Sequence, residues 1–127
     1  MSPVILVVED NELNLKLVRD VLTHAGHDVR VARTGEDGVR LAVDEPPDLV
    51  LMDVELPGID GIEALERLRE SPRTRHVPVA AVTALAMKQD RERLLSAGFD
   101  GFLEKPISVR ALPTQVERLL TSEEPVG

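Results

Sequence analysis

The middle of the chain reads Leu49-Val50-Leu51-Met52-Asp53, an uninterrupted apolar run that ends on an acid. A run without alternating polar residues predicts a strand that is buried on both faces, as strands of parallel sheets are. Short runs that also predict strands cover residues 4–8, 28–31, 79–82 and 101–103. Residues 28–31 alternate polar with apolar side chains, which indicates a strand at an edge of the sheet.

Helical patterns follow these strands, with apolar residues at the three- and four-residue spacing of a helix face. The fourth pattern covers residues 91–97 and stops at Gly98.

The last helix has two interpretations. If Ser108 is its N-cap, Pro113 lies about one turn inside the helix and removes a backbone hydrogen bond, at a cost of ~3 kcal/mol in a regular helix. The alternative is a helix that starts near Leu112.

Five strands that are each followed by a helix predict an α/β fold. The expected architecture is a flavodoxin-like, doubly wound sheet of five parallel strands with five helices on its two faces. The weak second strand at an edge favours the strand order 2-1-3-4-5. We expect one domain over residues 1–121, no output domain, and a disordered tail over residues 122–127, where the periodicity ends.

The composition narrows the classes of function. The chain has 127 residues and a net charge of −8, which argues against nucleic acid or an anionic membrane as partner, because both attract basic surfaces. No apolar run approaches the ~20 residues of a membrane span. The absence of cysteine excludes disulfides and thiolate metal sites and is compatible with the cytoplasm, where we expect the protein to act. We expect His24, His27 and His76 at the surface, without a metal.

Acids, a hydroxyl and an ammonium stand where the predicted strands end. Glu9-Asp10 follows the first strand, Asp53 the third, Thr83 the fourth and Lys105 the fifth. Because ligands of doubly wound sheets bind outside the carboxyl ends of the strands, we expect these side chains to converge. Each residue alone has an ordinary structural explanation, such as a helix cap, a turn or a solvated charge. Their occurrence together at four strand ends indicates a functional site.

The predicted cluster of Glu9, Asp10 and Asp53 requires a cation, because neighbouring carboxylates resist ionisation. Mg²⁺ suits such a site, since it binds through one or two carboxylates, waters and a phosphate. A carboxylate beside Mg²⁺ can also act as a nucleophile and form an aspartyl phosphate. Asp53 is the best candidate nucleophile, because it ends the central strand between the acids and the pair formed by Thr83 and Lys105.

Four segments resemble the receiver domain of bacterial two-component response regulators, and they follow one another at the spacing of that family. The segments are Val7-Val8-Glu9-Asp10-Asn11, Leu51-Met52-Asp53-Val54-Glu55-Leu56-Pro57-Gly58-Ile59-Asp60-Gly61, Val82-Thr83-Ala84 and Glu104-Lys105-Pro106. Each segment alone is a weak motif, whereas the four in order are highly specific. Within the family, the chain is similar to stand-alone regulators that consist of a single domain.

The resemblance implies that Asp53 accepts a phosphoryl group from a phosphohistidine on a sensor histidine kinase or a histidine phosphotransfer protein. It also implies a set of Mg²⁺ ligands: Asp53, Asp10 by direct contact, Glu9 through water, and the backbone carbonyl of Glu55. A protein of this family signals by binding other proteins. It is not an enzyme with a separate substrate, since it promotes only phosphoryl transfer to its own Asp53 and the later hydrolysis.

The resemblance also implies a switch. Thr83 and Lys105 bind phosphoryl oxygens, and Phe102 stands where the family has an aromatic residue that turns inward as Thr83 moves. The peptide bond after Lys105 is cis in this family. The partner surface is the face formed by the fourth helix, the fifth strand and the fifth helix, on a monomer or a weak dimer. Glu55 and Leu85 occupy places that influence how long the phosphoryl group survives.

The residues leave two other functions open. One is a constitutive adaptor that keeps the receiver fold without phosphorylation; the presence of Asp53, Thr83 and Lys105 argues against it. The other is a flavin- or nucleotide-binding enzyme of flavodoxin-like fold. Against this enzyme, the first strand leads into Glu9-Asp10 rather than into a glycine-rich phosphate loop.

Overall fold

The computed structural model describes residues 2–84 and 87–121. Within these residues, five parallel strands form one sheet in the order β2-β1-β3-β4-β5. The elements in chain order are β1 (Val4–Val8), α1 (Glu12–His24), β2 (Asp28–Ala32), α2 (Gly35–Asp44), β3 (Leu49–Asp53), α3 (Gly61–Glu70), β4 (Val79–Thr83), α4 (Lys88–Ala97), β5 (Gly101–Glu104) and α5 (Leu112–Thr121). The predicted fold class and strand order are confirmed, with the alternating strand β2 at an edge. The predicted tail, residues 122–127, lies outside the described residues.

The core consists of two layers, one on each face of the sheet. Alternate residues of β3 serve the two layers, which explains why the strand is apolar throughout: Val50 and Met52 face one layer, and Leu49 and Leu51 face the other. Residues of α2, α3 and α4 complete the first layer, and residues of α1 and α5 complete the second. No helix among the described residues is long and apolar enough to span a membrane.

Helix α4 starts earlier than predicted and is the most shallowly anchored of the helices. It begins at Lys88 rather than Arg91, because its first turn is polar and gives no apolar periodicity. Leu94 is its one buried residue, whereas α3 buries four. The N-cap, Met87, makes no side-chain capping hydrogen bond and is 66% exposed.

Pro113 is accommodated by a late start of α5. Ser108 caps a separate turn, in which its Oγ accepts the backbone N–H of Ala111 at 3.1 Å and its carbonyl accepts that of Leu112 at 2.9 Å. The helix proper begins at Leu112. Pro113 therefore lies in the first turn, where a backbone N–H has no partner within the helix.

Two buried or half-buried polar residues were not anticipated. The prediction that all three histidines lie at the surface is wrong for His27, which precedes β2 and is 8% exposed. Arg69, on α3, donates to the carbonyls of Arg75 and Val77 at 3.1 and 2.7 Å. It also reaches the Asp100 carboxylate at 2.9 Å. Its planar guanidinium thus ties α3 to the segments that enter β4 and β5.

Replacing Arg69 by alanine is expected to lower the free energy of unfolding by about 2 kcal/mol, because several carbonyls and a carboxylate lose their donor. Arg69→Lys is expected to recover only part of this loss, since an ammonium cannot reproduce the planar fork. Urea unfolding followed by far-ultraviolet circular dichroism measures both. Arg67→Ala is the matched control: Arg67 is also on α3 but pairs at the exposed surface with Glu63, and a change of less than about 0.5 kcal/mol is expected. Equal losses in the two alanine variants would contradict the role of Arg69.

Candidate functional site

The register of the sheet brings the predicted site residues to one edge. The last residues of the strands lie side by side, with Val8 beside Met52, Asp53 beside Val82 and Thr83 beside Glu104. The residues that end or follow the strands therefore project from the same edge. Lys105 is held there by its backbone N–H, which donates to the Thr83 carbonyl at 2.8 Å.

Three carboxylates form a compact cluster at this edge. One carboxylate oxygen from each of Glu9, Asp10 and Asp53 lies within 4.8 Å of the others. Asp53 is 1% exposed and Glu9 is 4% exposed, whereas Asp10 is at the surface. Oxygen ligands at this spacing suit a hard divalent cation. The cluster is thus compatible with the predicted metal, with Asp10 on its solvent side.

Lys105 provides a positive charge inside this cluster. Its Nζ lies 3.0 Å from Asp53 Oδ2 and 3.3 Å from Glu9 Oε1. The other oxygen of Asp53, Oδ1, accepts the backbone N–H of Glu55 at 3.0 Å. Both oxygens of the predicted phosphoacceptor are therefore fixed by hydrogen bonds, and the carboxylate has a defined orientation. Glu55 itself has an exposed side chain.

The pKa values of the site reflect burial and the close approach of like charges. Burial raises the pKa of Glu9 above its ordinary value of 4.5, and the neighbouring Asp53 raises it further. The N–H of Asn11 and the charge of Lys105 oppose this rise without cancelling it. Burial alone would lower the pKa of Lys105, but Asp53 and Glu9 outweigh burial and raise it. Lys105 is therefore a permanent cation, and Glu9 ionises with difficulty.

Gly61 permits the close approach of α3 to the main chain of Asp53. A Cβ at position 61 would lie 2.5 Å from the Asp53 carbonyl oxygen and 2.7 Å from the Cα of Val54. The preceding residue, Asp60, caps α3 by accepting the N–H of Glu63 at 2.9 Å. A glycine is thus required where the loop after β3 turns directly into a helix.

The predicted switch residues lie beside the cluster and along the neighbouring strand. Thr83 is fully buried at the end of β4, next to Asp53 along the sheet edge. Phe102 lies further back on β5, opposite Ala81, and is half-buried against the first core layer. The guanidinium of Arg91 lies 5.6 Å from the centre of its ring. Sequence reasoning missed Arg91, because nothing in the pattern of α4 indicates which cation faces β5.

Two further expectations concern the Lys105–Pro106 peptide bond and Leu85. The Lys105–Pro106 peptide bond is cis, as the resemblance implied. Leu85, the residue expected to influence the lifetime of the phosphoryl group, lies outside the described residues.

Comparison with known proteins identifies the family. The sequence model of one protein family, the response regulator receiver domain, matches residues 5–117 of the chain. The chain belongs to the response regulator receiver family. Among its relatives are the polar-differentiation response regulators DivK of Brucella ovis and Brucella anthropi. Each is 44% identical over 109 residues, which are 86% of this chain and 89% of the relative. The chain is therefore a DivK-like receiver domain of two-component signalling.

Solved structures agree with this assignment. A response regulator from Chloroflexus aurantiacus superposes with a TM-score of 0.88 at 31% identity, over 94% of this chain and 98% of the other. The receiver domain of the sensor histidine kinase PA1611 from Pseudomonas aeruginosa gives a TM-score of 0.86 at 35% identity over the same shares. That structure has a magnesium ion coordinated in its active site cleft. The chemotaxis regulator CheY4 of Vibrio cholerae, 23% identical over 94% of this chain and 99% of the other, shares the fold with a TM-score of 0.89.

The raised pKa of Glu9 predicts a specific pH dependence of stability. A carboxyl group whose pKa is raised by folding stabilises the fold while it is protonated, and that stabilisation is lost as the pH rises through the raised pKa. The neutral variant Glu9→Gln avoids this loss. We expect it to be more stable than the wild type near neutral pH without metal, with the difference closing as the pH falls toward 4.5.

Urea unfolding at a series of pH values measures this effect. Glu66→Gln is the matched control, since Glu66 is an exposed residue of α3, and no pH-dependent difference is expected from it. A Glu9→Gln variant that is less stable than the wild type near neutral pH would show that the attraction between Glu9 and Lys105 outweighs the cost of burial.

Proposed function

We propose that this receiver domain accepts a phosphoryl group on Asp53 from a phosphohistidine and signals by binding other proteins. The donor is a sensor histidine kinase or a histidine phosphotransfer protein, and the reaction depends on Mg²⁺. The observation that carries the proposal is the environment of Asp53: a buried carboxylate, oriented by two hydrogen bonds, beside two further acids and one cation. We place the protein in the cytoplasm, which is typical of the family.

In the proposed transfer, an oxygen of Asp53 attacks the phosphorus atom of the donor. The new bond joins this oxygen to phosphorus while the bond from phosphorus to the histidine nitrogen breaks, and the nitrogen keeps the electron pair. Asp53 Oδ2 is the oxygen that Lys105 holds. The ammonium therefore lies where negative charge on the phosphoryl oxygens has to be neutralised. Lys105 then exchanges part of its contact with the carboxylate for a phosphoryl oxygen.

The acids beside Asp53 fit the predicted Mg²⁺. Glu9, Asp10, Asp53 and the carbonyl of Glu55 would hold the ion, which supplies charge neutralisation for the phosphoryl oxygens. The chemistry of the donor set supports this assignment, because three carboxylates share a space that Lys105 alone does not neutralise. The ion in the active site cleft of the 35% identical PA1611 receiver also favours it.

Thr83 and Phe102 are the proposed route from the site to a partner surface. The hydroxyl of Thr83, at the end of β4, would bind a phosphoryl oxygen, and Phe102 would change position as Thr83 moves. Phe102 lies next to α4, where Arg91 contacts its ring; Met87, the N-cap of α4, and Leu95, within α4, are 66% and 48% exposed. We propose that a downstream protein binds the face formed by α4, β5 and α5, and that phosphorylation shifts the population of its binding-competent form.

The two other functions receive less support. A constitutive adaptor does not need a buried Asp53, a buried Thr83 and the ammonium of Lys105 at one edge of the sheet. A flavin- or nucleotide-binding enzyme would have to place an anionic phosphate against the same acids.

Incubation with acetyl phosphate and Mg²⁺ is expected to add the mass of one phosphoryl group to the wild type and none to Asp53→Asn, as measured by intact-protein mass spectrometry. Asp53→Asn is also expected to be as stable as the wild type or more so, because it removes one of three repelling carboxylates. Asp60→Asn, at an exposed helix cap, is the control and keeps the adduct. Labelling of Asp53→Asn to the wild-type extent would contradict the assignment of the phosphoacceptor.

Mg²⁺ at millimolar concentration is expected to raise the melting temperature of the unphosphorylated protein, because an ion that binds only the folded state stabilises it. Differential scanning calorimetry measures the shift. In the control, KCl replaces the magnesium salt at equal ionic strength, in a buffer free of Ca²⁺. We expect Asp10→Asn to reduce the shift, because it removes the exposed carboxylate of the cluster. An unchanged melting temperature in the wild type would contradict the metal site.

A further inference from the structure

The loop between β3 and α3, residues 54–60, carries part of the proposed site and is held at both ends. At its start, the N–H of Glu55 donates to Asp53 Oδ1, and the N–H of Val54 donates to the carbonyl of Val82. At its end, the N–H of Gly61 returns to the carbonyl of Val54 at 3.0 Å. These bonds close the loop on itself and on the sheet but do not reach its tip, where Leu56 and Ile59 pack against the first core layer.

Glu36 contacts the tip of this loop from a different element. It lies in the first turn of α2, and its Oε2 accepts the backbone N–H of Ile59 at 3.4 Å. Among the hydrogen bonds of the described residues 56–59, this bond is the one that joins the tip to another helix or strand.

Gly58 brings the carboxylate of Glu36 against the backbone of the tip. Its φ is +76°, a conformation that favours glycine. A Cβ at position 58 would lie 2.9 Å from Glu36 Oε2 and 3.2 Å from Oε1. The carboxylate therefore occupies the space that any other side chain at position 58 would need. The hydrogen bond and this packing are two separate contacts of the same carboxylate with consecutive residues.

We propose that Glu36 is a positioning residue of the metal and phosphoryl site: by holding Gly58 and Ile59, it fixes the loop whose main chain presents the Glu55 carbonyl. The inference rests on the proposed function, because it assigns that carbonyl to the metal. Glu36 lies on a neighbouring helix and does not belong to the acidic cluster. Its contribution is to the geometry of the loop.

Alanine and glutamine variants separate this role from a simple effect of charge. Glu36→Ala removes both contacts, Glu36→Gln removes the charge but keeps an oxygen that accepts a hydrogen bond, and Asp37→Ala removes the same charge from the adjacent residue. Asp37 is exposed and pairs with Arg40 on its own helix, so it does not hold the loop. Amide hydrogen exchange by NMR reports on the tip, and titration calorimetry with Mg²⁺ alone reports on the site.

Glu36→Ala is expected to speed the exchange of the Ile59 amide and to weaken Mg²⁺ binding about tenfold, the low end of the loss caused by outer-shell substitutions. Asp37→Ala and Glu36→Gln are expected to stay within about twofold of the wild type in both measurements. Gly58→Ala is expected to weaken Mg²⁺ binding with an intact Glu36, because the added methyl group displaces the carboxylate and alanine is strained at a φ of +76°.

Unchanged Ile59 exchange in Glu36→Ala would overturn the inference, since the tip would then not depend on Glu36. Faster exchange together with equal Mg²⁺ affinities in Glu36→Ala and Asp37→Ala would overturn it too, because the tip would then not position the site. Wild-type protein that binds no Mg²⁺ would overturn the proposed function, and the inference with it, so the two failures are distinguishable.

Discussion

The ammonium of Lys105 lies between two buried carboxylates, and the arrangement at the sheet edge depends on this placement. The carboxylates of Asp53 and Glu9 are both nearly inaccessible to solvent, and burial raises the pKa of Glu9 because water cannot stabilise its charged form. Lys105 offsets part of this effect through contacts of 3.0 and 3.3 Å. One cation beside three carboxylates leaves an excess of negative charge, and Asp53 adds to the rise in the pKa of Glu9 that burial causes. The pKa of Glu9 is therefore sensitive to the charge at Asp53.

The parallel sheet makes the contacts of Lys105 possible, because it brings the ends of the strands to the same edge. A fully parallel sheet places all carboxyl ends on the same edge, and its register sets Asp53, Thr83 and the residues after β1 and β5 beside one another. Gly61 then lets α3 begin directly against the backbone of Asp53. Because the helices cover both faces of the sheet, this edge is where polar side chains can gather without interrupting the core.

The sequence was sufficient to predict those parts of the structure that follow from hydrophobic periodicity and from the topology of a parallel sheet. Strand β3 was predictable because both of its faces are buried, and the site residues were predictable because strand ends in this topology converge. The start of α4, the burial of His27 and the contacts of Arg69 were not. The start of α4 was missed because its first turn is polar and gives no apolar periodicity, whereas the contacts of Arg69 join residues that are far apart in the chain, such as Asp100, 31 positions away. The contact between Glu36 and Ile59 belongs to the same class, since 23 positions separate the two residues.

The shallow anchoring of α4 has a consequence for how the molecule opens. A segment with few buried apolar contacts has a low free energy of local unfolding, whereas segments that bury several residues open only with the whole domain. Helix α4 is attached to the core through Leu94, while α3 buries four residues in the same layer. Helix α4 is therefore the helix expected to open locally at the smallest energetic cost, while the sheet and the site at its edge stay folded. The element that contacts Phe102 through Arg91 is thus also the one with the weakest attachment to the core.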